Sequence, residues 1–337
     1  MQVVAITGPG EAALVDRPEP VAKDEFVVVR VRVTPMCTEY KAFRAGHATD
    51  TLGHEAAGEV VEVARPGRVR VGDRVVAMPQ SGCGRCALCL RGDYIHCQAA
   101  PDPLAATGSA AGTATYGQYL LKQDWLLVPI PADLPDAHAA LACCGVGPTF
   151  GAMERMGVRA PDSVLIAGMG PVGLGGVIHA AARGARVIAV EGQPYRARLA
   201  LTLGAEAVVD PADPRALEEI ADRTGGGPDK GLDCSGSAAA QRLLIDAVRR
   251  RGQVAFVGEA GELGLHISRD LLRKGLTVHG VWHYNLAEAP RVMASIRHAG
   301  ALLDRFITHT FPLDRVAEAW HLQATGDCGK VLLQPWA

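Results

Sequence analysis

Short apolar runs broken by glycine and proline recur along the chain, and their rhythm changes part-way. From Met1 to about Leu127 they are brief and alternate with polar positions, at Phe26–Val33, Ala57–Val63, Asp73–Ala77 and Trp125–Val128. Such alternation between turn residues predicts an antiparallel, barrel-like domain. After Pro129 and Pro131 the pattern turns helical, and apolar runs then alternate with helix-length segments. Strands are predicted at Ser163–Ala167, Arg186–Val190, Glu206–Val209, Gly231–Cys234, Val254–Val257 and Thr277–Val281, with intervening helices that include Val172–Arg183, Pro214–Arg223 and Ala238–Arg250. Strands and helices in alternation predict an α/β fold with a doubly wound sheet of six parallel strands. The last segment is mixed: a helix near Ala287–Ala299, a strand near Phe306, a helix Leu313–Ala324 and a closing strand Lys330–Leu333. The sheet domain is therefore expected as an insertion in the first domain, with a cleft between them.

The strand Ser163–Ala167 runs into Gly168-Met169-Gly170-Pro171-Val172-Gly173, a Gly-x-Gly-x-x-Gly fingerprint between a strand and a helix. Its glycines allow a tight turn, a close backbone approach to a pyrophosphate and close helix packing, and the phosphates would sit on the helix N-terminus. The next strand ends in Glu191, placed to hold ribose hydroxyls and to repel the extra phosphate of NADP. NAD is the expected cofactor. The alternative is a structural turn that binds nothing.

Nine cysteines in a chain without an export signal argue for metal ligands over disulfides. Cys83, Cys86, Cys89 and Cys97 stand in a glycine-rich loop, and four thiolates at this spacing close a tetrahedral structural zinc site. An iron–sulfur cluster is the rival reading. Other candidates are dispersed: Cys37, Leu52-Gly53-His54-Glu55, and the pair Cys143 and Cys144. A net charge of −2 and the lack of a basic stripe exclude a nucleic-acid partner, and no apolar run is long enough to cross a bilayer. A cytoplasmic protein of two domains is expected from 337 residues.

Taken together, Gly53-His54-Glu55, Gly72-Asp73-Arg74-Val75, the four-cysteine lobe, the fingerprint and Gly329-Lys330-Val331 resemble the zinc-dependent alcohol dehydrogenases of the medium-chain dehydrogenase/reductase family. The resemblance covers nearly the whole chain. It implies a GroES-like catalytic domain at 1–147 and 285–337, with a zinc lobe at 82–98, and a Rossmann domain at 148–284. It also implies a catalytic zinc on Cys37, His54 and either Cys143 or Cys144, with Glu55 beside the metal. The spacing to a helix beginning near Phe150 favours Cys144. Backbone at Val257, Gly258, Val281 and His283 matches where the family holds the nicotinamide, and Arg196 matches a basic residue near the adenosine ribose. A zinc of this kind lowers the pKa of an alcohol whose hydride passes to the nicotinamide.

The chain departs from the family at Cys37-Thr38-Glu39-Tyr40-Lys41-Ala42, where Ala42 stands in place of the histidine that relays the alcohol proton. Thr38, Glu39 or water are the candidate carriers, with His47 a possible substitute. Trp282-His283-Tyr284-Asn285 would either recognise a polyhydroxylated or amino-substituted substrate or cap a subunit interface. The expected activity is NAD-dependent oxidation of a secondary alcohol or polyol, cyclitols included, by a homodimer or homotetramer. The alternatives are a non-catalytic zinc and dinucleotide sensor and an NADPH-dependent carbonyl reductase.

Overall fold

A computed structural model describes all residues 1–337. The chain divides into two compact units. The first comprises residues 1–145, 285–300 and 307–337, and the second 146–284 and 301–306.

The first unit begins with a hairpin of β1 (Gln2–Gly8) and β2 (Glu11–Asp16). Its main sheet follows, with β3 (Phe26–Pro35), β4 (Ala56–Glu62), β5 (Arg74–Ala77), β6 (Tyr119–Gln123) and β7 (Leu127–Pro129). β3 is central because its valines suit a pleated surface buried on both sides. Val27, Val29 and Val31 meet Val60, Val75 and Leu120 on one face, while Phe26 and Val28 meet Leu121 on the other. Arg30 and Arg32 mark where the outer face becomes exposed. Part of the expected strand Trp125–Val128 is a 3₁₀ turn, Asp124–Leu126, which packs the Trp125 ring edge-on against Tyr94. The hairpin and β6 went unpredicted.

The second unit contains six strands: β8 (Ser163–Ala167), β9 (Arg186–Val190), β10 (Ala207–Val209), β11 (Lys230–Asp233), β12 (Gln253–Phe256) and β13 (Thr277–Gly280). They pair in the order β10, β9, β8, β11, β12, β13, and every pairing is parallel. Helices on both faces require near-continuous apolar strands. β8 is accordingly buried at all five positions. Each Val, Leu or Ile so buried contributes about 1.5–3 kcal/mol. The strand order reverses beside β8, the point at which such sheets bind ligands.

The helix Ala289–Phe306 is kinked at Gly300, with residues 289–300 in the first unit and 301–306 in the second. The last strands, β14 (Ile307–Pro312) and β15 (Lys330–Gln334), extend the first unit's sheet, with β15 pairing β3. That unit thus holds a seven-stranded sheet. The helix Val316–Thr325 carries Trp320 into a second core against Phe43 and Tyr116.

Candidate active site

Three chain segments of the first unit converge at the end of β3. Buried Met36 anchors the chain after β3 and Cys37 follows it. Gly53 (φ +81°) precedes His54, and a Cβ there would stand 2.3 Å from both Thr115 Oγ1 and the Tyr116 ring. Only glycine allows the chain before His54 to pass this close to the Thr115 and Tyr116 side chains. The third segment is the short 3₁₀ turn Ala140–Ala142, which presents Cys143 and Cys144 in opposite senses. Cys143 is buried with its Sγ 3.3 Å from the Ala77 carbonyl oxygen, whereas Cys144 Sγ lies 3.3 Å from His54 Nε2.

The ligand atoms of Cys37, His54, Glu55 and Cys144 all lie within 4.8 Å of one another. Two thiols, an imidazole and a carboxylate at this separation suit zinc. The surrounding contacts orient each donor. His54 Nδ1 is 2.9 Å from Glu39 Oε1, which leaves Nε2 for a metal. Glu39 Oε2 accepts hydrogen bonds from the Tyr116 hydroxyl (3.0 Å) and the Cys37 N–H (3.1 Å). Glu55 Oε2 accepts the Cys144 N–H at 3.0 Å, and its Oε1 meets Lys330 Nζ at 2.8 Å with both side chains fully buried.

Protonation follows from these contacts. Hydrogen bonding from Cys144 holds the Cys37 thiol well below its ordinary value, against the effect of burial, while the same bond and burial push Cys144 well above it. One thiolate therefore forms readily and the second needs a cation. Burial opposes protonation of His54, but the Cys37 and Glu39 contacts raise it to about 11. Burial pushes Glu55 up to about 7 against the pull of Lys330. Negative charge here is poised for a dication.

Sequence reasoning named Thr38, Glu39 and His47 as proton carriers. Thr38 and His47 are exposed, and both Glu39 oxygens are engaged as described. It gave no role to Tyr116 or Lys330. Replacing Glu39 with alanine is expected to weaken zinc binding at the cluster by about 10–100-fold through the loosened His54 ring, as read by competition with a chromophoric chelator. An unchanged affinity would deny Glu39 this positioning role.

The second cluster joins Cys83, Cys86, Cys89 and Cys97, again with all four sulfurs within 4.8 Å. All four thiols are free of disulfides. Backbone N–H groups point at the sulfurs, from Cys86 to Cys83 and from Cys83 to Cys97, each at 3.3 Å. Hydrogen bonds from the Arg85 and Cys86 amides lower the Cys83 thiol to about 6, while burial pushes Cys89 up to about 12. Asn285 ties this lobe down by donating to the Arg91 carbonyl oxygen (2.7 Å) and Asp93 Oδ1 (2.8 Å). With His283 and Tyr284 buried, only Trp282 of the expected recognition quartet is exposed.

In the second unit the fingerprint turn leads from β8 into the helix Pro171–Ala182. A Cβ on Gly173 would stand 1.9 Å from the Gly168 carbonyl oxygen, whereas one on Gly170 would enter open space. The turn is thus closed on the helix side and open where a phosphate would lie. Pro171 and Val172 occupy the first helical positions. Glu191 accepts the Met169 N–H at 2.7 Å and the Gln193 N–H at 2.8 Å, so it lies against the turn. Arg196 Nε is buried with no hydrogen-bond partner. The cradle and this orphaned donor fit a dinucleotide. The amides of Val257 and Gly258 donate to the Asp233 carbonyl oxygen and that of Val281 to Phe256, leaving the Val257 and Val281 carbonyls at the sheet's C-terminal edge. The His283 carbonyl packs against Gly151, where a Cβ would lie 2.6 Å away.

Residues 23–132 match the alcohol dehydrogenase GroES-like domain and residues 171–298 the zinc-binding dehydrogenase domain. An uncharacterized zinc-type alcohol dehydrogenase-like protein of Escherichia coli strain K12, YphC, is 34% identical over 292 residues, covering 83% of this chain and 80% of that one. The chain belongs to the zinc-dependent alcohol dehydrogenases. This alcohol dehydrogenase is also 32% identical to L-threonine 3-dehydrogenase of Pyrococcus furiosus, across 96% of this chain and 94% of that one. The alcohol dehydrogenase TADH from Thermus sp. ATN1 superposes with a TM-score of 0.89 at 25% identity, covering 99% of both chains. The expected family and fold are those found: an oxidoreductase of the medium-chain family, with a GroES-like domain and a parallel Rossmann sheet. The matched zinc-binding dehydrogenase domains make it an oxidoreductase of the zinc alcohol dehydrogenase class. No helix is long and apolar enough to cross a membrane.

Proposed function

We propose that the enzyme oxidises a secondary alcohol or polyol to the ketone with NAD as hydride acceptor, using one catalytic and one structural zinc. The observation that carries this reading is the convergence of Cys37, His54, Glu55 and Cys144 within 4.8 Å around an imidazole whose far nitrogen is already occupied by Glu39. Bound zinc supplies the Lewis acid that lowers the alcohol's pKa, and NAD supplies the hydride acceptor. Within the chain, Glu39 and Tyr116 keep His54 Nε2 turned toward Cys144, and Lys330 holds Glu55 in the same cluster. The fingerprint turn and Arg196 would hold NAD, which would accept the carbinol hydride as the alcohol gives up two electrons and a proton. The hydroxyl proton would pass to solvent, which reaches exposed Thr38 next to Cys37.

A sensing role without catalysis is disfavoured by the complete donor set, and NADPH by the acidic Glu191 at the end of β9. Initial rates on a panel of secondary alcohols, polyols and L-threonine, with NAD and with NADP, test the reading. NADH formation from at least one alcohol supports it, and none from any would count against it. Glu191→Ala is expected to raise the KM for NAD about tenfold and to narrow the preference over NADP, since it removes the ribose contact and the repulsion of the 2′-phosphate. An unaltered NAD/NADP ratio would place Glu191 outside the site.

Self-association along β13 belongs to the same proposal. This edge strand carries exposed Val278 and an open hydrogen-bonding edge, which proteins ordinarily cover. Sedimentation velocity is expected to give a dimer or tetramer that Val278→Lys shifts toward smaller species, and a parent that sediments as a monomer would refute it.

A further inference from the structure

We propose that the alcohol oxidised by this enzyme carries a carboxylate, and that Lys122 receives it. The inference deepens the alcohol-dehydrogenase reading and rests on it. A cavity of about 260 Å³ lies within the first unit, lined by Gly53 and His54 of the metal cluster's segment and by Gln80, Ser81, Thr113 and Lys122. A cavity of this size suits a molecule of a few heavy atoms. Its occupant touches the His54 segment on one side and a lysine on another.

Lys122 projects from β6 between two buried residues, Leu121 and Gln123, and is itself half-buried. Its ammonium donates to the Gln80 carbonyl oxygen, a single contact for a group with three donors. No carboxylate influences it, and the one electrostatic neighbour is the thiol of Cys143. Lys330 differs, because Glu55 neutralises it at 2.8 Å. This half-buried cation has no counter-charge, and an anionic ligand seated in the cavity would supply the missing partner. Burial lowers Lys122 to about 8, which still leaves it mostly charged at neutral pH. A carboxylate would accept its two remaining donors through charge-assisted bonds.

The test compares alcohols that differ only at the anion: 3-hydroxybutanoate against butane-1,3-diol, and sn-glycerol 3-phosphate against glycerol. The parent enzyme is expected to favour 3-hydroxybutanoate over the diol by about 10–100-fold in kcat/KM, mostly through KM, the range expected for a hydrogen-bonded charge. Lys122→Met, which keeps the apolar stem, should collapse that ratio toward one, and Lys122→Arg should retain most of it. A parent without preference overturns the proposal, and so does a Met variant that slows both alcohols equally, because a structural role would leave the ratio intact. Preference for the phosphate pair alone overturns the carboxylate assignment. Calorimetric titration of 3-hydroxybutanoate into the zinc-loaded enzyme with NADH present reads the same contact without turnover. Failure to bind the parent, or equal affinity for the Met variant, also overturns the proposal. Binding that depends on Lys122 without oxidation of any alcohol would instead count against the alcohol-dehydrogenase reading alone.

Discussion

Replacing Cys144 with serine is expected to lower alcohol oxidation by at least about a thousandfold while leaving the fold and NAD binding in place. Lewis-acid stabilisation amounts to several kcal/mol, and each 1.4 kcal/mol is a factor of ten in rate. Serine fills nearly the same volume and keeps the backbone N–H that Glu55 accepts at 3.0 Å, so packing around the turn survives. What is lost is the thiolate: a serine hydroxyl does not ionise at neutral pH, even beside a metal-poised group such as His54. Steady-state kinetics, circular dichroism and a fluorescence titration with NADH separate these effects. Turnover close to that of the parent would remove Cys144 from the catalytic centre. Cys143→Ser is the control, since that thiol faces the Ala77 carbonyl oxygen and burial raises its pKa.

The second large effect concerns stability. Glu55 and Lys330 are both fully buried and meet at 2.8 Å. Removing one partner of such a pair leaves a charge in a medium that solvates it poorly, at a cost of about 3–5 kcal/mol. Lys330→Met and Glu55→Gln are each expected to lose stability on that scale in urea denaturation. Glu55 can partly escape by taking up a proton, because burial already raises it to about 7. Lys330 is held above its ordinary value, against burial, first by Glu55 and then by Cys37 and Cys144, so Glu55→Gln removes the main support of its charge. The double variant should be more stable than either single one, as neither charge is then stranded. Strict additivity of the two losses would show that the pair is not coupled.

The fingerprint and the sheet that carries it were legible because a strand buried on both faces reads as an unbroken apolar run. β8 coincides with its expected bounds, Ser163–Ala167. Alternating strands at the surface gave weaker signals. β2, where no residue is fully buried, was missed, and Trp125 suggested a strand where the chain makes a 3₁₀ turn to pack its ring on Tyr94. The four-cysteine lobe was legible as spacing, since its donors lie within one loop. The other cluster was reached through family likeness, and its supporting contacts stayed hidden because their partners are distant in sequence. Lys330 is 275 residues from Glu55, and Tyr116 is 77 from Glu39. Adjacent Cys143 and Cys144 differ only in where a non-periodic turn points them, which no pattern of residue types encodes. Glu39, a candidate proton carrier in the sequence, lies 2.9 Å from His54 Nδ1, a contact that no residue spacing encodes.

Zinc per chain, measured by elemental analysis on the purified parent and on Cys144→Ser, tests the central claim most directly. The account predicts about two zinc ions in the parent, one for each cluster of four donors, and about one in the variant. A parent holding a single zinc that survives the substitution would contradict it, leaving the four-cysteine lobe as the sole metal site and the cluster of Cys37, His54, Glu55 and Cys144 without a catalytic ion.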